Sequence, residues 1–415
     1  DNNSAFGSKA SWATYPKASI SWVASEEPRV RTRLPAFVDD LRLRIAYGGS
    51  GQQPGVNTAL RTLSPVAGPG GTTVLTNSTF GNPDLKPERV LGVEMGFEAG
   101  LWKDRVGVDF TFYSDVSHDA ILSKPVAPSS GFGASNQFIN AGQINKHGIE
   151  LALKGQVINR RDYGWDMQFN LAAHTSKIIK LSGAPGDTSI DLGTAPPLGH
   201  RVGHSPFDFY TYDVVSATYD PVTKTAINPV CADAKGGTMP CFVPGTTNVQ
   251  APKVNFGHSL PTTEGSWAST FRYDRFRLYV MADFQAGFNK LDNNLRINCQ
   301  LNSACIYSVW PAQHDPAVVA VVQNSGTLRD FFIKPASYTK WREVSLSYDA
   351  HESVARRLGA QSLAVTVSGR NLAMITRYTG IDPENSLGGQ AGSIGLDQSE
   401  FPQLASFMIS VRLSY

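Results

Sequence analysis

Hydrophobic and polar residues alternate with a period of two along most of the chain. Leu41, Leu43, Ile45 and Tyr47 are separated by Arg42 and Arg44, and Leu91, Val93, Met95 and Phe97 interleave with Gly92, Glu94, Gly96 and Glu98. Val106, Val108, Phe110 and Phe112 enclose Asp109 and Thr111. Ile149, Leu151 and Leu153 alternate with Glu150 and Lys154, and Trp165, Met167, Phe169 and Leu171 with Asp166, Gln168 and Asn170. The pattern recurs at 18–24, 254–273, 276–284, 338–348, 363–367 and 407–415. Successive strand residues point to opposite faces, so these eleven segments predict strands with one apolar and one polar face. Helical spacing is nearly absent, the best candidate being residues 315–324.

The connections decide between architectures. They run 26–40, 48–88, 100–105, 115–147, 158–164, 174–253, 274–275, 288–335, 349–362 and 372–403, and short alternates with long throughout. In an up-and-down sheet, alternate connections lie at the same end. Short turns at one end and long loops at the other mark an antiparallel transmembrane β-barrel; a compact soluble sandwich has short connections throughout. The aromatic-rich stretch 207–219 is placed inside the 174–253 excursion.

Composition agrees. Only 17% of residues are charged, and the net charge of +2 gives no electrostatic case for nucleic acid. No apolar run approaches the ~20 residues of a membrane helix, which leaves a barrel untouched. Asp1 opens a Gly/Ser/Asn-rich stretch that reads as loop, so the chain is expected to lack an N-terminal part. The cysteines fall in two close pairs, Cys231/Cys241 and Cys299/Cys305, in polar segments. Two loop disulfides in an oxidising compartment are expected, and the spacing does not suit zinc.

Four stretches carry a family resemblance: Asn82-Pro-Asp-Leu-Lys-Pro-Glu88 with the hairpin that follows it, residues 139–155, residues 336–348, and residues 369–386, which contain Thr379-Gly-Ile-Asp-Pro-Glu384. In their order they resemble the SusC/RagA-like branch of TonB-dependent outer-membrane receptors. The resemblance implies that residues 1–415 are the C-terminal half of a 22-stranded barrel in the bacterial outer membrane. It implies uptake of large nutrients, oligosaccharides or peptides, with a SusD-like surface lipoprotein as lid and with the TonB complex acting through a plug outside this chain. A siderophore or cobalamin receptor, or a non-transporting surface adhesin or glycan binder, are the alternatives. The final strand, with Phe407, Ile409, Val411, Leu413 and Tyr415 on one face, resembles the signal read by the barrel-assembly machinery. Its apolar face is expected to meet lipid, with Arg412 facing the lumen.

Candidate sites are few. Arg42, Arg44, Glu94, Glu98, Asp109, Glu150 and Lys154 are expected on the lumen wall. Solute contacts are expected from loop aromatics, of which Phe207, Phe209, Tyr210 and Tyr212 are the densest cluster, because loops on a rigid scaffold carry recognition. His200, His204 and Asp208 stand in a Gly/Pro-rich segment and read as incidental surface residues. Residues 382–385 read as a turn, and the basic run 29–33 as a solvated one. No Gly-x-Ser-x-Gly or HExxH occurs, so no catalytic centre, cofactor or metal is expected.

Overall fold

The computed structural model describes residues 14–52, 59–127, 129, 136–181, 188–192, 197–233, 235–324, 326–386 and 394–415. Its frame is one 11-stranded sheet whose strands neighbour one another in chain order. They are β1 (Lys17–Val23), β2 (Val38–Gln52), β3 (Glu88–Leu101), β4 (Val106–Pro125), β5 (Asn136–Asn159), β6 (Tyr163–Lys180), β7 (Thr263–Tyr273), β8 (Phe276–Ala286), β9 (Tyr338–Asp349), β10 (Ser362–Thr376) and β11 (Ser406–Ser414). All pairings between them are antiparallel.

Register sorts the side chains as the alternation predicts. One row across the sheet runs Trp22, Leu43, Phe97, Phe110, Leu151, Leu171. The adjacent row on the other face runs Arg44, Gly96, Thr111, Glu150, Ala172, Glu264, Gln285. A slip of one residue would exchange the two faces, so the sequence specifies the register strongly. Near the short-turn end the apolar face carries aromatic pairs. Trp165 stacks on Phe271 at 5.2 Å, Phe276 lies 4.9 Å from Tyr348, and Phe37 stacks on Trp102 at 5.4 Å. An aromatic girdle at the edge of an apolar band is how such a sheet meets a membrane interface.

β9 breaks the alternation. Met281 pairs with Glu343 but Ala282 pairs with Trp341, so Arg342 is an extra residue, a β-bulge. Lys340 pairs with Asp283 on the polar face, while Trp341 sits near Trp267 on the apolar face.

Several boundaries differ from expectation. The 115–147 connection is mostly strand, because β4 and β5 extend to Pro125 and from Asn136 as a projecting hairpin. Residues Val254–His258 pair with Asp208–Thr211 in a separate sheet, so the long strand begins only at Thr263, beyond Pro261. The basic run is not a bare turn: Pro28–Arg31 forms a helical turn, and Arg31 donates to the carbonyls of Val38 and Asp39.

The excursions after β6 and β8 fold together into a lobe with its own core, including Leu198, Phe209, Val214, Leu291, Val321, Leu328 and Phe332. The helix Pro316–Gln323, where helical spacing was read, packs on the strands Val214–Asp220 and Thr225–Ala232. Asp315 caps it by accepting from the Ala317 N–H at 2.9 Å, and Pro316 suits its first turn. Cys231 is bonded to Cys241 and Cys299 to Cys305, all four within the lobe core. Each crosslink closes a short loop and contributes about 2–3 kcal/mol. Reduction is therefore expected to open the lobe segments 198–233 and 289–324 to protease while the sheet keeps its heat-modifiable electrophoretic migration. Equal loss of both would show that the lobe does not fold as a separate unit.

Candidate functional site

The polar face is a connected charged surface. Arg44 donates to Glu98, Asp109 and the Thr111 hydroxyl, each at 2.5 Å, and Arg42 reaches Glu98 at 3.5 Å. These residues come from β2, β3 and β4, adjacent strands that bring them into one line. The same face holds a groove of about 470 Å³ bordered by Arg44, Glu150, Asn170, Glu264 and Asp283. Of the wall residues expected from sequence, Arg44, Asp109 and Glu150 line this groove, whereas Glu94 and Lys154 line other hollows; Asn170 Nδ2 donates to the Ser266 hydroxyl beside the groove.

A second network ties the connection after β10 to this wall. Lys340 Nζ donates to both carboxylate oxygens of Asp382, at 2.9 and 2.8 Å, and to Glu384 at 2.6 Å. Arg342 grips Glu384 with two nitrogens, at 3.0 and 2.8 Å, and Asp283 at 2.7 Å. Lys290 donates to the Asn385 carbonyl, and the Tyr378 hydroxyl to Asp397 at 2.9 Å. Burial lowers the Lys290 ammonium to about 8, against the pull of Asp397 and Asp382. Residues 382–385 are therefore more than a turn: they dock the connection onto β9.

A roofed cavity of about 330 Å³ lies where the long-loop ends of β3–β6 meet the lobe. Its floor includes Val90, Asp115, Ile144, Lys146 and His174, and its roof Ser205, Phe207, His258 and Leu260. The roof is fixed by backbone: Ile178 donates to the His204 carbonyl, Gly203 donates to that of Ile178, and His174 donates to that of Thr262. Ser176 and Ser205 hydroxyls meet at 2.8 Å.

The loop aromatics divide. Phe207 lines the cavity. Phe209 is 0% and Tyr210 5% exposed, so they hold the lobe together and have no face free for stacking on a solute; Tyr212 packs against the same core. His200 is 1% exposed and not a surface residue. Burial and Arg201 hold its imidazolium form down to about 4. Asp208 is also buried, accepting from His258 Nδ1 at 2.7 Å and from Asn255 Nδ2 at 2.9 Å. The Gly/Pro content of 196–206 signalled irregular backbone, but the strand Val254–His258, which pairs with the Asp208 strand and supplies His258 to its carboxylate, is distant in sequence.

Asp330 supplies a pH response. One carboxylate oxygen accepts from the Val214 N–H at 3.0 Å; the other is buried without a partner. Burial raises its carboxyl to about 6, partly offset by backbone donors. The folded value lies above the unfolded one, so the favourable contribution is complete below about pH 4 and is lost as pH rises through about 6. Asp330→Asn keeps an acceptor for Val214 and is expected to slow hydrogen exchange of 214–232 at pH 8 but not at pH 4.5. A slower exchange at both pH values would disprove this origin.

Among the described residues no His/Cys/Asp/Glu cluster could hold a metal, and no helix is long and apolar enough to cross a membrane.

A family model of the TonB dependent receptor-like β-barrel matches residues 1–372. TonB-dependent receptor P3 of Formosa agariphila is 22% identical over 440 residues, which cover 100% of this chain and 43% of that protein. TonB-dependent receptor SusC of Bacteroides thetaiotaomicron is 24% identical over 451 residues, covering 100% of this chain and 41% of that protein. The structure of the RagAB peptide importer in its closed–closed state superposes with a TM-score of 0.78 at 19% identity, over 99% of this chain and 44% of that one. The chain thus spans less than half the length of these relatives.

Proposed function

Because the chain belongs to the TonB-dependent receptor β-barrel family, whose members reside in the outer membrane, we propose that it is the wall and outer-loop portion of a nutrient transporter. The observation that carries the reading is the 11-stranded meander with an apolar band on one face and a charged face on the other. A barrel wall between lipid and a watery lumen uses both faces this way. Oligosaccharides are the proposed cargo and peptides the second reading; SusC and the RagAB peptide importer share this fold. A SusD-like surface lipoprotein would cover the loop lobe, and the TonB complex would act through a part of the protein outside these residues.

The last strand has a further role in this reading. β11 pairs with β10 along Ser362–Arg370, and its apolar residues Phe407, Ile409 and Val411 stand exposed. Strand addition to such an edge is a mechanism by which the barrel-assembly machinery would take it up. Deleting the complete gene should abolish growth on an oligosaccharide or peptide as sole carbon source, with restoration by the gene in trans. Unchanged growth across both nutrient classes would sink the transport reading.

A further inference from the structure

The cavity under the lobe has a chemistry that neither the wall network nor the family assignment accounts for. Its charged residues largely cancel or are already engaged. Asp115 and Lys146 are direct cross-strand partners of opposite sign. Glu88 accepts from the Ser117 hydroxyl at 2.7 Å and from the Ile121 N–H at 3.3 Å, one bond to each carboxylate oxygen. What remains is a set of hydroxyls and imidazoles beside an aromatic ring: Thr175, Ser205, Thr262, His174 and His258 around Phe207.

His258 is the most constrained of these. Asp208 is buried in the lobe, and its Oδ1 faces His258 Nδ1 at 2.7 Å while Asn255 serves Oδ2. A buried carboxylate oxygen needs a donor, so the imidazole proton belongs on Nδ1. In that tautomer Nε2 is the ring's acceptor, on a residue that lines the cavity. The ring of Phe207 makes an edge contact with the buried His200 ring at 4.9 Å. An aromatic wall, an oriented acceptor and several hydroxyls, without excess charge, match a ring that carries O–H donors on its rim and C–H bonds on its face. The volume of about 330 Å³ lies at the lower end of the range for small-ligand sites.

We propose that this cavity is a solute subsite for one neutral sugar unit, in which Phe207 carries the ring face, His258 accepts a sugar hydroxyl, and Asp208 is a positioning residue that sets the His258 tautomer. The inference rests on the transporter reading and adds the location and chemistry of a contact point.

The test uses the full-length receptor, purified from outer membranes and applied to an array of neutral oligosaccharides and, in parallel, of uncharged and zwitterionic peptides. Binding to at least one neutral glycan class is expected. His258→Leu and Phe207→Leu should each weaken it about three- to tenfold, the worth of one hydrogen bond or one stacking contact. Asp208→Asn can donate to Nδ1 and so move the ring proton to Nε2. It should weaken glycan binding as much as His258→Leu does, and should remove the effect of a following His258→Leu substitution. A structural role for Asp208 would instead lower the unfolding temperature and give additive losses. Binding of peptides alone, or glycan binding indifferent to Phe207 and His258, overturns the proposal. Receptor that reaches the outer membrane and supports growth but binds no neutral glycan overturns the subsite and leaves transport standing. Receptor absent from the outer membrane overturns transport itself.

Discussion

Phe110→Arg is expected to abolish recovery of folded barrel from outer membranes. Phe110 sits in the middle of the apolar band on β4, between Phe97 of β3 and Leu151 of β5, with its ring 5.7 Å from that of Phe97. An arginine facing lipid near the midplane costs about 2–4 kcal/mol, and loss of the aromatic contact adds to it. In a soluble sheet with this face toward water, the same substitution would be neutral or would improve solubility. The matching control is Ala172→Arg, which places an identical charge on the other face. Ala172 lies between Glu150 and Glu264 in the register, so the added guanidinium meets two carboxylates. Heat-modifiable electrophoretic migration of both variants is the measurement. Wild-type recovery of Phe110→Arg, or equal loss of both, would refute the assignment of the lipid-facing side.

The second large effect is expected at Lys340. Its side chain is 6% exposed and that of Asp382 is 4% exposed. Removing one partner of a buried pair leaves the other charged and unpaired, which costs about 3–5 kcal/mol. The two single substitutions should differ. Lys340→Ala leaves Asp382 without a cationic partner, whereas Asp382→Ala leaves Lys340 still bonded to Glu384 at 2.6 Å. Lys340→Ala is therefore expected to be the more damaging, and Lys340→Met with Asp382→Leu together to recover most of the loss. The readouts are the temperature of barrel unfolding and protease cleavage within 377–386. Equal damage from the two single substitutions would show that Glu384 does not hold Lys340 by itself.

Most of the sheet was legible in the sequence because its determinants are local. Alternation of period two names each strand and its face, and the short–long order of the connections names the ends. Eleven strands form in the order the pattern names, although the seventh begins only at Thr263 and β4 and β5 run past their expected ends. The lobe was not legible for the opposite reason. Tyr210 pairs with Asn255 and Phe209 packs into a core shared with the second excursion, contacts that periodicity does not encode. Local aromatic density reads alike in a binding loop and in a small core; only burial separates Phe207, which lines a cavity, from Phe209, which fills one. The charged network failed for a related reason. Residues 382–385 read as a turn because their partners, Lys340 and Arg342, lie on a strand some forty residues earlier. The disulfides were accessible because their spacing is short and their segments polar, and the structure joins those same pairs.

The extra residue at Arg342 has a consequence for how this wall tolerates change in length. Val344, Leu346 and Tyr348 lie on the apolar face, and strict alternation back from them would carry Arg342 and Lys340 there too. The bulge inserts one residue and so reverses the parity of everything before it in the strand, returning Lys340 to the side of Asp283. Deleting Arg342 alone would therefore remove the bulge and leave the facing intact. With it gone, Lys340, Trp341, Glu343 and Val344 follow plain alternation, and Lys340 and Trp341 keep the sides they occupy now. Insertions or deletions of one residue within these strands should be rejected far more often than those of two, except beside position 342, where the count is already odd.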